Sequence, residues 1–280
     1  MIKTICVAGA GTMGSGIAQA AAQNGFTTLL FDVNNEMLEK AKNAIEKNLD
    51  SFVSKQKITG EGAAIIFQQL HFISNINDCV ADIIIEAIVE KSAAKVSLFN
   101  QLAAINNDAC IFASNTSSLS ISAIQKNCVH PERVAGMHFF NPATIMKLVE
   151  VVQGADTNDA TVQTIYGLCR QMNKTPVLCK DAPGFIVNRV ARHYYLEAMK
   201  IVEQGIASVE NVDAVMEAAG FKMGPFKLMD LIGMDINLAV SQSMYEAFNE
   251  EERFKPSAIQ IEKVNSGQLG RKTGKGFYQY

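Results

Sequence analysis

Tryptophan is missing altogether from this chain of 280 residues, and other scarcities exclude more. Prolines number only six and charged residues make up 19%, so neither a Pro-rich nor a strongly charged, disordered chain is expected. The hydrophobic share of 48% suffices for a packed core. No charge of one sign dominates: the formal net charge of −3 argues against a whole-protein attraction to nucleic acid or to anionic membranes. No apolar run reaches the roughly 18 residues that a spanning helix needs. The apolar start, Ile2 to Ala8, runs into a glycine loop and not into a cleavage site, so no secretory leader is expected. A soluble cytoplasmic protein without nucleic-acid or membrane partners is the expectation.

Cysteine and histidine are also few. Cys6, Cys79, Cys110, Cys128, Cys169 and Cys179 form no Cys-x-x-Cys pair and are scattered through apolar segments. They read as buried free thiols of a reducing compartment. His71, His130, His138 and His193 show no metal-ligand spacing, and no metal site is expected.

What is present is alternation. Ile5 to Ala8, Thr27 to Phe31, Ile83 to Ile85, Cys110 to Ala113, Val134 to Met137, Leu148 to Val152 and Val177 to Cys179 read as short buried strands. Helical patterns fall between several of them: Gly14 to Asn24, a long helix capped by Asn34 or Asn35, and Ser92 to Ala104. This predicts an α/β fold with a mostly parallel sheet and right-handed crossovers. After Asp181-Ala-Pro-Gly184 the pattern turns helical, with Phe185 to Gln204, Val209 to Ala218 and Asp235 to Phe248. Residues 1–182 are therefore expected to form a Rossmann-type α/β domain, and residues 183–280 an all-helical domain. The basic, glycine-rich tail from Gly270 to Gly276 is too short in spacing for a phosphate loop and follows no strand.

The first strand opens into Gly9-Ala-Gly11-Thr12-Met13-Gly14, a G-x-G-x-x-G between strand and helix. Gly9 permits the tight turn, Gly11 the approach of a pyrophosphate, and Gly14 close helix–strand packing. The N–H groups at the helix start then meet the phosphates. Asp32 ends the second strand, where a carboxylate accepts from both adenine-ribose hydroxyls and repels a 2′-phosphate. Val33, Asn34 and Asn35 offer no basic side chain to reverse that, so NAD is the expected cofactor and not NADP.

Three further segments are polar at strand ends or helix starts: Ala113-Ser-Asn-Thr-Ser-Ser118, Met137-His-Phe-Phe-Asn-Pro142 with Lys147-Leu-Val-Glu150, and Ala182-Pro-Gly-Phe-Ile-Val-Asn-Arg189. Strand carboxyl ends are where open α/β sheets bind ligands. Together with Glu86-Ala-Ile-Val-Glu90, Met223-Gly-Pro225, Asp230-Leu-Ile-Gly233 and the tail, these segments closely resemble the 3-hydroxyacyl-CoA dehydrogenase family. The likeness spans nearly the whole chain, and short bacterial 3-hydroxybutyryl-CoA dehydrogenases match best in length.

The resemblance implies an NAD-dependent oxidation of a 3-hydroxyacyl-CoA to its 3-oxo form, or the reverse, in fatty acid or butanoate metabolism. It makes His138 the general base and Glu150 the group that holds it. It places Ser117 and Asn188 at the substrate, and Glu90, Lys95, Ser117, Asn141 and Lys272 at the cofactor. It puts Lys55 at the CoA moiety and implies a homodimer joined through the helical domain. The chemistry of imidazole agrees independently, since it titrates near the working pH and can both take and return a proton. Without the motif, His138 would read as a structural histidine, Ser117 and Ser118 as helix caps, and Lys55 as a solvated helix-end charge. Phe221 to Pro225 and Glu252 to Ser257 look more like relatives that act on 3-hydroxyadipyl-CoA in phenylacetate breakdown. Two competing readings are a lysine-dependent hydroxyacid dehydrogenase and a non-catalytic, crystallin-like relative; the His138 segment with Glu150 speaks against both.

Overall fold

Strand β1 (Thr4–Ala8) buries Ile5, Cys6, Val7 and Ala8 completely. Successive side chains of a strand point to opposite faces, so burial at every position means cover on both faces, the setting of a parallel sheet. β4 (Ile83–Glu86), β5 (Ile111–Ser114) and β6 (Val134–Phe139) are buried along their whole length in the same way. The computed structural model describes residues 2–280, and the chain divides into two compact units, Met1–Ala182 and Pro183–Tyr280.

In the first unit these strands join β2 (Thr27–Phe31), β3 (Leu70–Ile73), β7 (Leu148–Gln153) and β8 (Thr175–Lys180) in one eight-stranded sheet, ordered β3-β2-β1-β4-β5-β6-β7-β8. The first six strands are parallel and follow the order of dinucleotide-binding folds. One face packs Ile5, Val7, Ile83 and Ile85 against helices α1 (Thr12–Ala22), α2 (Asn35–Ser54) and α6 (Asp159–Gln171). The other face packs Cys6, Ile84 and Phe112 against α4 (Ser92–Ala103). Asn34 caps α2, accepting from the Glu36 N–H at 2.8 Å.

The sheet is not parallel throughout. β7 runs antiparallel to β6, with His138 opposite Glu150. Residues 140–147 connect the two, and a parallel crossover needs about a dozen residues or more, so the chain turns back. Helix α6, strand β3 and several shorter helices are absent from the sequence reading. Helix α3 (Gly60–Gln68) buries no residue fully, with Ala63, Ile66 and Phe67 partly buried against the core, and β3 buries only Leu70. The short helix α5 (Ile121–Gln125) completes this unit.

The second unit is helical: α7 (Val187–Glu203), α8 (Val209–Ala218), α9 (Pro225–Ile232), α10 (Met234–Ala247) and α11 (Ala258–Asn265). Tyr195, Met199, Phe226, Met229 and Met234 form its core. Buried Asp230 holds the tail, accepting from the N–H groups of Phe277 and Tyr278 at 2.9 Å each. A Cβ at Gly276 would lie 2.0 Å from the Asp230 carboxylate, which accounts for that tail glycine by packing. Among the described residues no helix is long and apolar enough to cross a membrane.

Candidate active site

The glycine loop sits where β1 meets β4, between the strands that extend the sheet in opposite directions. Gly9 has φ 109°, and a Cβ there would lie 2.6 Å from the Ala87 carbonyl oxygen. A Cβ at Gly14 would lie 1.7 Å from the Gly9 carbonyl oxygen. Both glycines are demanded by the fold. Gly11 is not: its φ is −71° and its Cβ would meet no protein atom within 4 Å. The open space above it fits a group from outside the chain. Gly11 also precedes α1 without any side-chain cap, which leaves the first N–H groups of the helix for a phosphate. Thr12 there is exposed and Met13 half-buried. Asp32 braces the loop, its Oδ2 accepting from the Ala10 N–H at 2.8 Å and its Oδ1 from the Asn34 N–H at 2.9 Å. These residues fit a dinucleotide.

Beside the loop, the ends of β4 and β5 form a charged network. Glu86, fully buried, accepts from Lys95 Nζ at 2.6 Å, Ser114 Oγ at 2.6 Å and the Ile88 N–H at 2.7 Å. Lys95 also lies 3.0 Å from Glu90. Glu90 in turn accepts from Thr116 Oγ1, the Ser117 N–H at 3.2 Å and Ser118 Oγ at 3.1 Å. Desolvation works to raise the Glu90 carboxyl, but the Lys95 charge and the hydrogen bonds from Thr116, Lys95 and Ser118 outweigh it and hold it below the usual carboxylate range. Lys95, expected at the cofactor, is 1% exposed, and its ammonium meets two carboxylates of its own chain. A buried ammonium requires such partners, and the sequence reading did not give Glu86, Ser114 or Thr116 a part.

The antiparallel register sets His138 against Glu150, with Nδ1 2.7 Å from Oε2. The two residues are 6% and 1% exposed. A carboxylate only accepts, so Nδ1–H donates to it and Nε2 is the basic nitrogen. The Phe140 ring lies 4.4 Å from the imidazole, centroid to centroid. Asn115 Oδ1 accepts from the Phe139 N–H at 2.9 Å and ties the end of β6 to the segment that carries Ser117.

All six cysteines are free. Burial pushes the Cys110 and Cys169 thiols up to about 12 and those of Cys128 and Cys179 to about 11. A thiolate nucleophile has no place here.

Asn141 is exposed and joins Gly11, Thr12, Gln19, Asn48 and Thr144 around a cavity of about 370 Å³ between α1 and α2. Lys55 lies just past the end of α2 and is exposed. In the second unit, Asn188 stands in the first turn of α7, and Lys272 donates to Asp235 Oδ1 at 2.5 Å. The structure thus brings together Gly9, Gly11, Gly14 and Asp32, joins Glu90 to Lys95 and Ser117, and pairs His138 with Glu150.

A dinucleotide loop in the same sheet as a buried histidine–carboxylate pair is the equipment of a nicotinamide-dependent dehydrogenase. Residues 4–182 match the family model described as 3-hydroxyacyl-CoA dehydrogenase, NAD binding domain. Residues 184–280 match the one described as 3-hydroxyacyl-CoA dehydrogenase, C-terminal domain. The chain therefore belongs to the 3-hydroxyacyl-CoA dehydrogenase family, oxidoreductases that act on a CH–OH group. It is 45% identical to 3-hydroxyadipyl-CoA dehydrogenase of Escherichia coli over 100% of its own length, but spans only 59% of that relative. It is 39% identical to a probable 3-hydroxybutyryl-CoA dehydrogenase of Deinococcus radiodurans, over 98% of this chain and 99% of the other. The crystal structure of (S)-3-hydroxybutyryl-CoA dehydrogenase from Ralstonia eutropha superposes with a TM-score of 0.94 at 36% identity, over 100% of this chain and 99% of that one.

Proposed function

We propose that this chain interconverts a 3-hydroxyacyl-CoA and its 3-oxoacyl-CoA with NAD, and that His138 and Glu150 form its acid–base unit. The observation that supports this most is the buried 2.7 Å contact between His138 Nδ1 and Glu150. His138 Nε2 takes the proton of the substrate hydroxyl, and Glu150 fixes the tautomer and stabilises the imidazolium that results. The nicotinamide cofactor, when bound, supplies the hydride acceptor. Gly9 to Gly14 hold its pyrophosphate, Asp32 its adenine ribose, and Glu90, Asn141 and Lys272 its remaining polar groups. Lys95 acts through Glu90. Ser117 and Asn188 hold the reacting oxygen and the thioester carbonyl. The cavity walled by α2, with the amides of Gln19 and Asn48, suits the amide-bearing arm of CoA, and Lys55 stands at the end of that helix.

The Met1–Ala182 unit is the NAD-binding domain, and Pro183–Tyr280 is the substrate and dimerisation domain. Exposed Val190, Ile206, Val215 and Phe221 favour a homodimer through the helical unit. We place the enzyme in the cytoplasm, in fatty acid or butanoate metabolism with 3-hydroxybutyryl-CoA as substrate. A second reading, the same chemistry on 3-hydroxyadipyl-CoA, is favoured by the 45% identical relative.

The test is NADH oxidation with acetoacetyl-CoA, and no turnover there would refute the assignment. The CoA thioester should be required, because binding energy from the remote CoA positions the reacting carbon. Free 3-hydroxybutyrate should be a very poor substrate, and equal kcat/KM for acid and thioester would contradict the reading. NAD(H) should be used more efficiently than NADP(H), and Asp32→Ser or Asp32→Arg should narrow or invert that preference. Measured kcat/KM for both cofactors decides it; parity in the unmodified enzyme speaks against the role of Asp32.

A further inference from the structure

Helix α7 holds a guanidinium that the helical unit buries without a counter-charge. Arg192 is 3% exposed. Its Nη1 donates to the Asn237 carbonyl oxygen at 2.8 Å and to Ser241 Oγ at 2.9 Å, with Asn237 Oδ1 farther away at 3.4 Å. All of these acceptors are neutral. Among the described residues no carboxylate pairs with Arg192, and its Nε is buried without a hydrogen-bond partner. The Tyr195 ring lies beside it, 5.0 Å from the guanidinium carbon. Desolvation pushes the guanidinium down to about 10, which leaves it cationic at neutral pH.

The neighbours supply donors in excess. Gln260 Nε2 donates to Asn237 Oδ1 at 2.5 Å and to Ser241 Oγ at 3.0 Å. Gln260 Oε1 is already used by the Ser257 N–H at 3.3 Å. Asn237, 1% exposed, keeps its Nδ2 buried without a partner. A positive charge and two unmatched N–H donors therefore sit on residues in direct contact. Such an arrangement is strongly unfavourable on its own. A carboxylate supplies what is missing, a negative charge and two coplanar acceptor oxygens that match a guanidinium.

Sequence spacing says where that carboxylate belongs. Arg192 follows Asn188 by one helical turn and shares its face. At a rise of about 1.5 Å per residue the two stations are roughly 6 Å apart along the helix. A few carbon–carbon bonds of about 1.5 Å each, ending in a carboxylate, span that distance. We infer that Arg192, with Asn237, Ser241 and Gln260, recognises a carboxylate at the far end of the acyl chain. The preferred substrates are then 3-hydroxyacyl-CoA esters of short dicarboxylic acids, which takes the second reading of the proposed function over 3-hydroxybutyryl-CoA. This rests on the placement of Asn188 at the reacting end of the substrate in the proposed function.

Adipyl-CoA and hexanoyl-CoA have equal chain lengths, lack the reacting hydroxyl and differ only at the chain end. Titration calorimetry of the NADH-bound wild type should show adipyl-CoA binding about 100-fold more tightly, the scale of hydrogen bonds to a charged group. Arg192→Met removes the charge at similar length. It should lose that preference while changing hexanoyl-CoA affinity, and turnover of 3-hydroxyhexanoyl-CoA, far less than it changes adipyl-CoA affinity. Arg192→Lys should recover part of the preference, since a cation without the planar fork remains. Arg192→Met should melt no lower than wild type, because an unpaired buried charge is removed. Equal affinity of the wild type for the two esters overturns the inference, whether or not the variant folds. Equal loss of both esters in Arg192→Met overturns it too, because a structural role would act on both. If the wild type oxidises neither 3-hydroxy ester, the proposed reaction fails, and the two affinities still decide the carboxylate site.

Discussion

His138→Ala should slow turnover by about 10²–10⁴-fold, the usual contribution of a positioned acid–base group. NADH affinity should stay nearly unchanged, because the proposed function seats the dinucleotide on the glycine loop and Asp32 and not on His138. Glu150→Gln keeps the shape of the side chain but removes the charge that stabilises the imidazolium, and its amide can turn a donor toward Nδ1 and so favour the wrong tautomer. It should also reduce turnover strongly. Groups that act as a unit are non-additive, so the double variant should be much less impaired than the product of the two single effects. Steady-state kinetics of the three variants, with NADH affinity from fluorescence titration, checks this. Near-normal turnover in either single variant, or fully multiplicative losses, would show that the 2.7 Å contact is structural.

The register of the sheet explains why this pair was legible only in part. The motif around His138 and Glu150 marks both residues, yet nothing in their spacing states that they face each other. That follows from the antiparallel turn at residues 140–147, which pairs position 138 with 150. A connection too short for a crossover was the available signal, and the reading of a mostly parallel sheet passed over it. Apolar runs such as Ile83 to Ile85 were legible because a strand covered on both faces has to be apolar throughout. Helix α9 was not: its eight residues begin at Pro225 in a stretch that reads as a turn, and its packing on α7 and α8 decides its conformation. The short helices α5 and α11 lie beyond such a reading for the same reason, being too brief to show a period.

The glycine loop shows how sequence and structure divide the explanation. All three glycines fit one motif, but the contacts separate them. Gly9 and Gly14 are required by backbone atoms of the protein itself, whereas Gly11 borders empty space. Gly11 and the uncapped start of α1 are thus the parts of the motif that the protein's own packing does not account for. Lys95 teaches the opposite lesson. A lysine near a cofactor motif invites a direct ligand role, and the sequence does not reveal its burial beside Glu86 and Glu90.

That burial leads to the second large effect. Glu86→Gln should destabilise the fold by about 3–5 kcal/mol, the usual result of removing one partner from a buried ion pair. Glu86 is 0% exposed and its carboxylate is the nearest partner of the Lys95 ammonium at 2.6 Å. After the substitution Lys95 keeps only Glu90 at 3.0 Å, so the loss should fall toward the lower end of that range. Replacing both partners, in Glu86→Gln with Lys95→Met, removes the stranded charge and should be less destabilising than Glu86→Gln alone. Urea unfolding midpoints of the single and double variants measure the difference; a single variant as stable as wild type would mean that Glu90 alone suffices for the lysine. The double variant should also change the response to acid. Glu90 is held below the usual carboxylate range in the folded protein, with Lys95 the largest of the groups that lower it. A depressed carboxyl contributes stability that is complete above its unfolded value and is lost as pH falls through its folded value. Without Lys95 the folded value rises toward the unfolded one and that contribution shrinks. Relative to its own stability at neutral pH, the double variant should therefore lose less on acidification than the wild type does. Midpoints measured from neutral to acidic pH would show the flatter profile, and an unchanged slope would assign the lowering of Glu90 to Thr116 and Ser118 instead.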